Sequence, residues 1–304
     1  PRNFEEKIGF DQIRKKIKGH CLGDLGKEKT DQIKFSTSPK FIALLIDQVE
    51  EFREIISMEE NLPLQHCINI REALEKVRIE GTYMEQEELY NLRLNQNTIK
   101  NLVTFFKNTY NKEEKYPKLY HLAKNVKVYP FITDRIDQVI NNKGEIRDAA
   151  SPGLKRLRAE ITRKESEVSG QIEKIFKHLK QQRTVANDAS LAIREGRAVI
   201  PVDARFKRKI NGLIQDESAS GKTVYIEPSE VVEINNQLKE LRYEEKREII
   251  RVLRELATDI RPYLEDLLQA NDFLGTIDFI RAKALFAIEI NAIKPAIVNK
   301  PHLR

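Results

Sequence analysis

The chain has no tryptophan and little that punctuates a backbone: 12 glycines, 11 prolines and 7% aromatics in 304 residues. A β-sandwich or barrel of this length needs many turns, so the scarcity favours long helices and a mainly α fold. Two cysteines, Cys21 and Cys67, stand without CxxC spacing. They exclude a disulfide framework and fit a reducing, cytoplasmic setting. No apolar run approaches the roughly 20 residues that span a bilayer, so no membrane partner is expected. No basic-then-apolar leader opens the chain. It begins at Pro1 without a Met, as a fragment of a longer protein would.

What is abundant is charge, 33% of residues against 40% hydrophobic, on a length that suggests about two domains. The net charge is +6, but it is unevenly placed. From Pro152 to Lys222 sixteen Lys/Arg face nine Asp/Glu, a net of +7, so the remainder sums to about −1. A polyanionic partner belongs to that segment.

Hydrophobic spacing divides the chain. Up to about residue 150, stripes such as Phe41, Leu45, Val49, Phe52, Ile56 and Leu92, Ile99, Leu102, Phe106 predict short to medium helices. Breaks fall at Ser36–Pro39, Asn61–Pro63, Gly81 and Tyr116-Pro117. After a turn at Asn141–Gly144, Ser151-Pro152 is a strong helix start, a capping side chain followed by proline in the first turn. One long helix is predicted to about Ala186, roughly 50 Å. A second follows Glu227-Pro228-Ser229, with its stripe from Val231 to Leu267. Each stripe is too narrow to be stable alone. The first arm carries nine basic and four acidic residues, the second seven and ten, so they suit an antiparallel pair. By the same token, part of the basic charge could face the neighbouring arm rather than a ligand.

Between the arms the pattern turns β-like. Ser190–Ile193 with Arg197–Val202, joined at Glu195-Gly196, and Lys209–Gln215 with Thr223–Ile226 predict two hairpins. Pro201 within a strand predicts an edge position. After about Ala270 one more apolar helix, through Phe273, Ile277, Ile280 and Ala284, returns to the first helical domain.

Catalytic signatures are lacking. Gly221-Lys222-Thr223 resembles the end of a phosphate loop, but Asp216 stands where the first glycine is needed, and a strand follows where a helix should. His20, His66, His121, His178 and His302 make no metal-ligand spacing. Phe-x-Glu, which can wedge at a mispair, occurs at Phe4-Glu5-Glu6 and Phe52-Arg53-Glu54, both in helical or terminal context. No cofactor and no catalytic residue is expected in this chain. The positive signal is cationic: Arg194, Arg197, Arg205, Lys207, Arg208, Lys209 and Lys222, four of them crowded around Phe206, as backbone phosphate binding requires. The bland alternative is a solvated loop.

Three stretches carry a resemblance: Gly144–Pro152 (GEIRDAASP), Arg197–Val202 (RAVIPV) and, most specific, Asp216–Pro228 (DESASGKTVYIEP). Together they resemble the second branch of the MutS family, which lacks the mismatch-reading domains. The resemblance implies a helical core (lever) domain in two parts, 1–151 and 270–304. Between them stand an outgoing coiled-coil arm over 152–187, a β clamp over 188–227 at its tip, and a returning arm over 228–269. It further implies a cytoplasmic homodimer whose clamps close on DNA without reading sequence, restraining homologous recombination. The ribosome or structured RNA is the alternative partner, and a purely structural spacer the third reading. An ATPase domain with its ATP and Mg, and often a nuclease domain, would follow this region. ATP binding, nuclease activity and dimerisation through that domain are therefore not expected in the fragment.

Overall fold

A computed structural model describes residues 4–58, 61–186 and 188–297. They form two compact units, one from the segments up to Glu145 and from Leu253 onward, the other spanning Ile146–Val252.

The first unit is helical: α1 (Phe4–Lys7), α2 (Phe10–His20), α3 (Asp24–Asp31), α4 (Pro39–Ser57), α5 (Arg71–Val77), α6 (Gln86–Glu113), α7 (Pro117–Ala123) and α8 (Pro130–Val139). Local chemistry sets the helix starts. Phe41 N donates to Ser38 Oγ ahead of Pro39, and Glu85 with Glu88 makes a reciprocal capping box on α6. Tyr116, at φ 55°, turns the chain into the proline that opens α7. Phe52, Ile55, Ile99, Leu102 and Phe106 are buried in a core they share with Leu274 and Ile277 of the last helix.

The second unit begins with a 3-10 turn (Asp148–Ala150), then α9 (Pro152–Gln181), β1 (Ala192–Arg194), β2 (Arg197–Asp203), a second 3-10 turn (Ala204–Lys209), β3 (Gly212–Glu217) and β4 (Thr223–Pro228). The next helix, α10 (Ser229–Ile260), passes from this unit into the first, which α11 (Leu264–Glu289) completes. The sheet is antiparallel in the order β1-β2-β4-β3, so two hairpins are joined through β2 and β4. The first hairpin turns at Glu195-Gly196, both residues at positive φ (49° and 76°), as a two-residue turn of matching twist requires. β3 carries a bulge: Ile214 pairs with Ile226 and Asp216 with Tyr225, leaving Gln215 extra.

The sheet has its own core. Ile200, Val202, Val224 and Ile226 pack with Ile172 and Leu179 of α9 and Val231 of α10. Farther along, Ile161 and Val168 meet Ile234 and Leu238. Hydrogen-bonded side chains run in opposite order along the two helices: Ser151 with Glu248, Arg158 with Glu245, Glu165 with Arg242. The helices are therefore antiparallel.

Several expectations change. α9 ends at Gln181 rather than near Ala186, because Arg183 adopts φ 58° and turns the chain. The second long stripe does not run unbroken to Leu267: Pro262 lies in a 3-10 turn (Arg261–Tyr263), and the last helix starts at Leu264, not near Ala270. β1 is Ala192–Arg194 rather than Ser190–Ile193, and Lys209 closes a 3-10 turn instead of opening a strand. Pro201 lies in the interior strand β2, not an edge strand. β1 pairs only as far as Val199, so Pro201 stands just beyond its reach, where a missing N–H costs no ladder bond. Lys300, Pro301 and His302 lie outside the described residues.

Candidate nucleic-acid interface

The cations on and beside the sheet fall into two kinds. Arg197, first residue of β2, donates from Nη1 to both oxygens of Glu227 at 2.9 Å and from Nη2 to Asn236 Oδ1 at 2.8 Å. Glu227 is wholly buried, and a buried carboxylate is tolerable only when paired and fully hydrogen-bonded. It takes two further bonds, from Asn235 Nδ2 at 2.7 Å and from the Nε2 of the bulged Gln215. Arg194 donates to Asp216 at 2.9 Å and lies 4.0 Å over the Tyr225 ring. Arg205 forks onto Asp203 at 3.0 and 2.8 Å, which holds the Asp203 carboxyl down at about 2. These three arginines meet internal carboxylates, so much of their charge is already balanced.

Lys207, Arg208, Lys209 and Lys222 are different. All four are exposed, and among the described residues none is ion-paired with a carboxylate. Lys207, Arg208 and Lys209 close the 3-10 turn after β2, while Lys222 stands in the β3–β4 turn. Ala204 N donates to Lys222 O at 2.9 Å, which sets the two turns side by side. Lys209 Nζ stands 5.1 Å from the centre of the Phe206 ring. The cluster thus gathers four uncompensated charges from two segments.

The turn that holds Lys222 is a hairpin turn. Gly221 N donates to Ser218 O, Ser218 N to Thr223 O and Thr223 N to Ser218 Oγ; β4 then follows. No helix N-terminus follows Lys222 to receive a nucleotide phosphate. On α9, Arg158 is held by Glu245 and Asp148, Lys164 by Glu167 and Arg163 by Glu160, so three of this helix's cations meet acids inside the unit. Phe52 is core and Phe4 lies in α1. Burial pushes the Cys67 thiol up, away from the thiolate a nucleophile needs. Among the described residues no group of three His, Cys, Asp or Glu could hold a metal, and no helix is long and apolar enough to cross a membrane.

Sequence reasoning missed Glu227 and the amides around it. The available signal was an acidic residue between Ile226 and Pro228 at the end of an apolar strand.

The described residues form a mainly helical protein bearing a small antiparallel sheet with a cationic surface. No family model matches the chain. It is similar to endonuclease MutS2 of Geobacillus sp. (strain WCH70), 32% identical over 297 residues. It is likewise similar to those of Geobacillus thermodenitrificans (30% over 297) and Alkaliphilus oremlandii (31% over 290). The matches cover 98%, 98% and 95% of this chain but 38%, 38% and 36% of the relatives' length. Similarity near 30% over essentially the whole chain supports the MutS-like family, in its MutS2 branch.

Proposed function

We propose that the chain is the core and clamp region of a MutS2-like protein and binds duplex DNA through its phosphates, without reading sequence. Lys207, Arg208, Lys209 and Lys222 carry this reading, because two adjacent turns of the sheet gather them on one exposed surface where none has an ion pair among the described residues. In this reading α9 and α10 are the two strands of a coiled-coil arm, and the sheet is the clamp at its tip. The chain itself performs no catalysis. The endonuclease activity in its relatives' name, and an ATPase with its ATP and Mg, belong to the portion of their length that this chain does not span. In the whole protein two clamps from a cytoplasmic homodimer close on DNA and restrain homologous recombination.

Titration against duplex DNA over a salt series tests the reading. Four phosphate contacts predict a log–log slope of about −3.6, with dissociation constants of roughly 10⁻⁴–10⁻⁶ M at physiological salt. Reversing Lys207, Arg208, Lys209 and Lys222 to Glu should abolish binding and leave helix content unchanged, since none of the four side chains is in a core. Unaltered binding and slope would move the contact to the exposed Lys155 and Arg156 of α9. Tighter binding to structured RNA or ribosomes would replace DNA as the partner.

A further inference from the structure

A second feature of the sheet unit is a cleft of about 480 Å³ between β3, the β1–β2 turn and the outer face of α10. Ligand pockets fall in the same size range. The inner stripe of α10, through Ile234 and Leu238, is spent on α9. The cleft is lined by another stripe, Asn235, Asn236, Lys239, Arg242, Tyr243 and Lys246, whose members follow one another at helical spacing.

The buried Glu227 decides what the cleft presents. A carboxylate only accepts, so the amide of Gln215 must turn its nitrogen to Glu227 and leave Oε1 free to accept. A guanidinium only donates, so Asn236 must turn its oxygen to Arg197 and leave Nδ2 free to donate. Neither atom has another partner among the described residues. One acceptor and one donor are thus held in fixed orientation at the cleft by a core ion pair. Beside them are two exposed apolar surfaces, Leu213 (52%) and Tyr243 (58%). Of the cations, Arg242 is tied to Glu165, whereas Lys239 and Lys246 have no ion pair among the described residues; Glu195 is the acid that shares the cleft.

We propose that this cleft takes one unpaired nucleotide: its base stacks on Tyr243, its polar edge meets Gln215 Oε1 and Asn236 Nδ2, and its flanking phosphates meet Lys239 and Lys246. A flat aromatic with adjacent lysines suits a single strand, since every base has a stacking face and duplex bases do not expose theirs. The inference rests on the reading of the sheet unit as a nucleic-acid interface, but names a different surface and a different substrate form.

The test uses the whole chain with three fluorescent probes: a perfect duplex, the same duplex with one extruded nucleotide, and oligo(dT). Tyr243→Ala, and Lys239→Glu with Lys246→Glu, should each weaken the oligo(dT) and extruded-nucleotide probes at least fivefold, the low end of one base–aromatic stack, with perfect duplex within twofold. Tyr243→Phe should retain binding. The reversed Lys207, Arg208, Lys209 and Lys222 variant should lose perfect duplex and keep at least part of the oligo(dT) binding. Wild-type affinity of the cleft variants for oligo(dT) overturns the cleft and leaves the duplex reading standing. Loss of duplex binding in the unaltered chain, with oligo(dT) retained and sensitive to Tyr243, overturns the duplex reading alone. No binding of any probe at low salt overturns both.

Discussion

Arg194, Arg197 and Arg205 look alike in the sequence and differ in what they touch. Arg205 and Asp203 form an exposed pair, of the kind worth about 0–1 kcal/mol. Arg197 neutralises a carboxylate with no solvent access, and removing one partner of such a pair leaves an uncompensated charge. Arg197→Ala should therefore destabilise by about 3 kcal/mol in chemical denaturation, and Arg205→Ala by less than about 1. The Arg205 pairing is local, since Asp203 lies two residues away and caps the turn through Arg205 N. The Arg197 pairing was not. Glu227 is thirty residues distant, and only the β2–β4 register brings the two together. Composition counts cations; partner choice depends on the fold.

At the scale of elements, the legible features are those set by a few neighbouring residues. Ser151-Pro152 opens α9 and Glu195-Gly196 turns the first hairpin, because capping and positive φ are local demands. The unbroken stripe across Pro262 misled because hydrophobic spacing persists through a one-turn interruption that keeps the same side buried. The cleft was invisible for another reason: three segments build it, and none carries a motif. The α9 cap makes a further prediction. Ser151 accepts from Leu154 N and donates to Glu248, whose carboxyl is held at about 2, by Arg251 first and then by Ser151. A carboxyl lowered on folding contributes stability that is full above its unfolded value, about 4.3, and fades as pH falls towards about 2. Melting temperature followed from pH 6 to pH 2 should fall through that window, less steeply in Glu248→Gln. Ser151→Ala should cost about 1 kcal/mol at neutral pH.

Among the described residues the two units bury apolar side chains to unequal depth. The helical unit buries Phe52, Phe106, Leu274 and Ile277 around α11, most of whose sides are buried. The sheet unit depends on a smaller cluster of mainly valine and isoleucine, with Leu179. Local opening follows buried apolar contact, so amide hydrogen exchange should release β1–β4 before α6 and α11. Equal protection factors in both would contradict this. The division was only partly legible: the hydrophobic stripes and the β-like insert suggested two bodies, whereas the allotment of α10 to both follows from packing.

The strand order has a consequence for self-assembly. With β1 and β3 outermost, the sheet ends in two rows of backbone groups that lack a neighbouring strand of the same sheet, and on β3 Leu213 and Ile214 are half exposed. Such an edge is a template on which a second chain could crystallise into fibrils. The bulge at Gln215 spoils that template, because an incoming straight strand loses register there, and the exposed Glu217 sets a charge on the same edge. The irregularity that holds an amide against Glu227 thus also interrupts the exposed β3 edge as a template for a second chain.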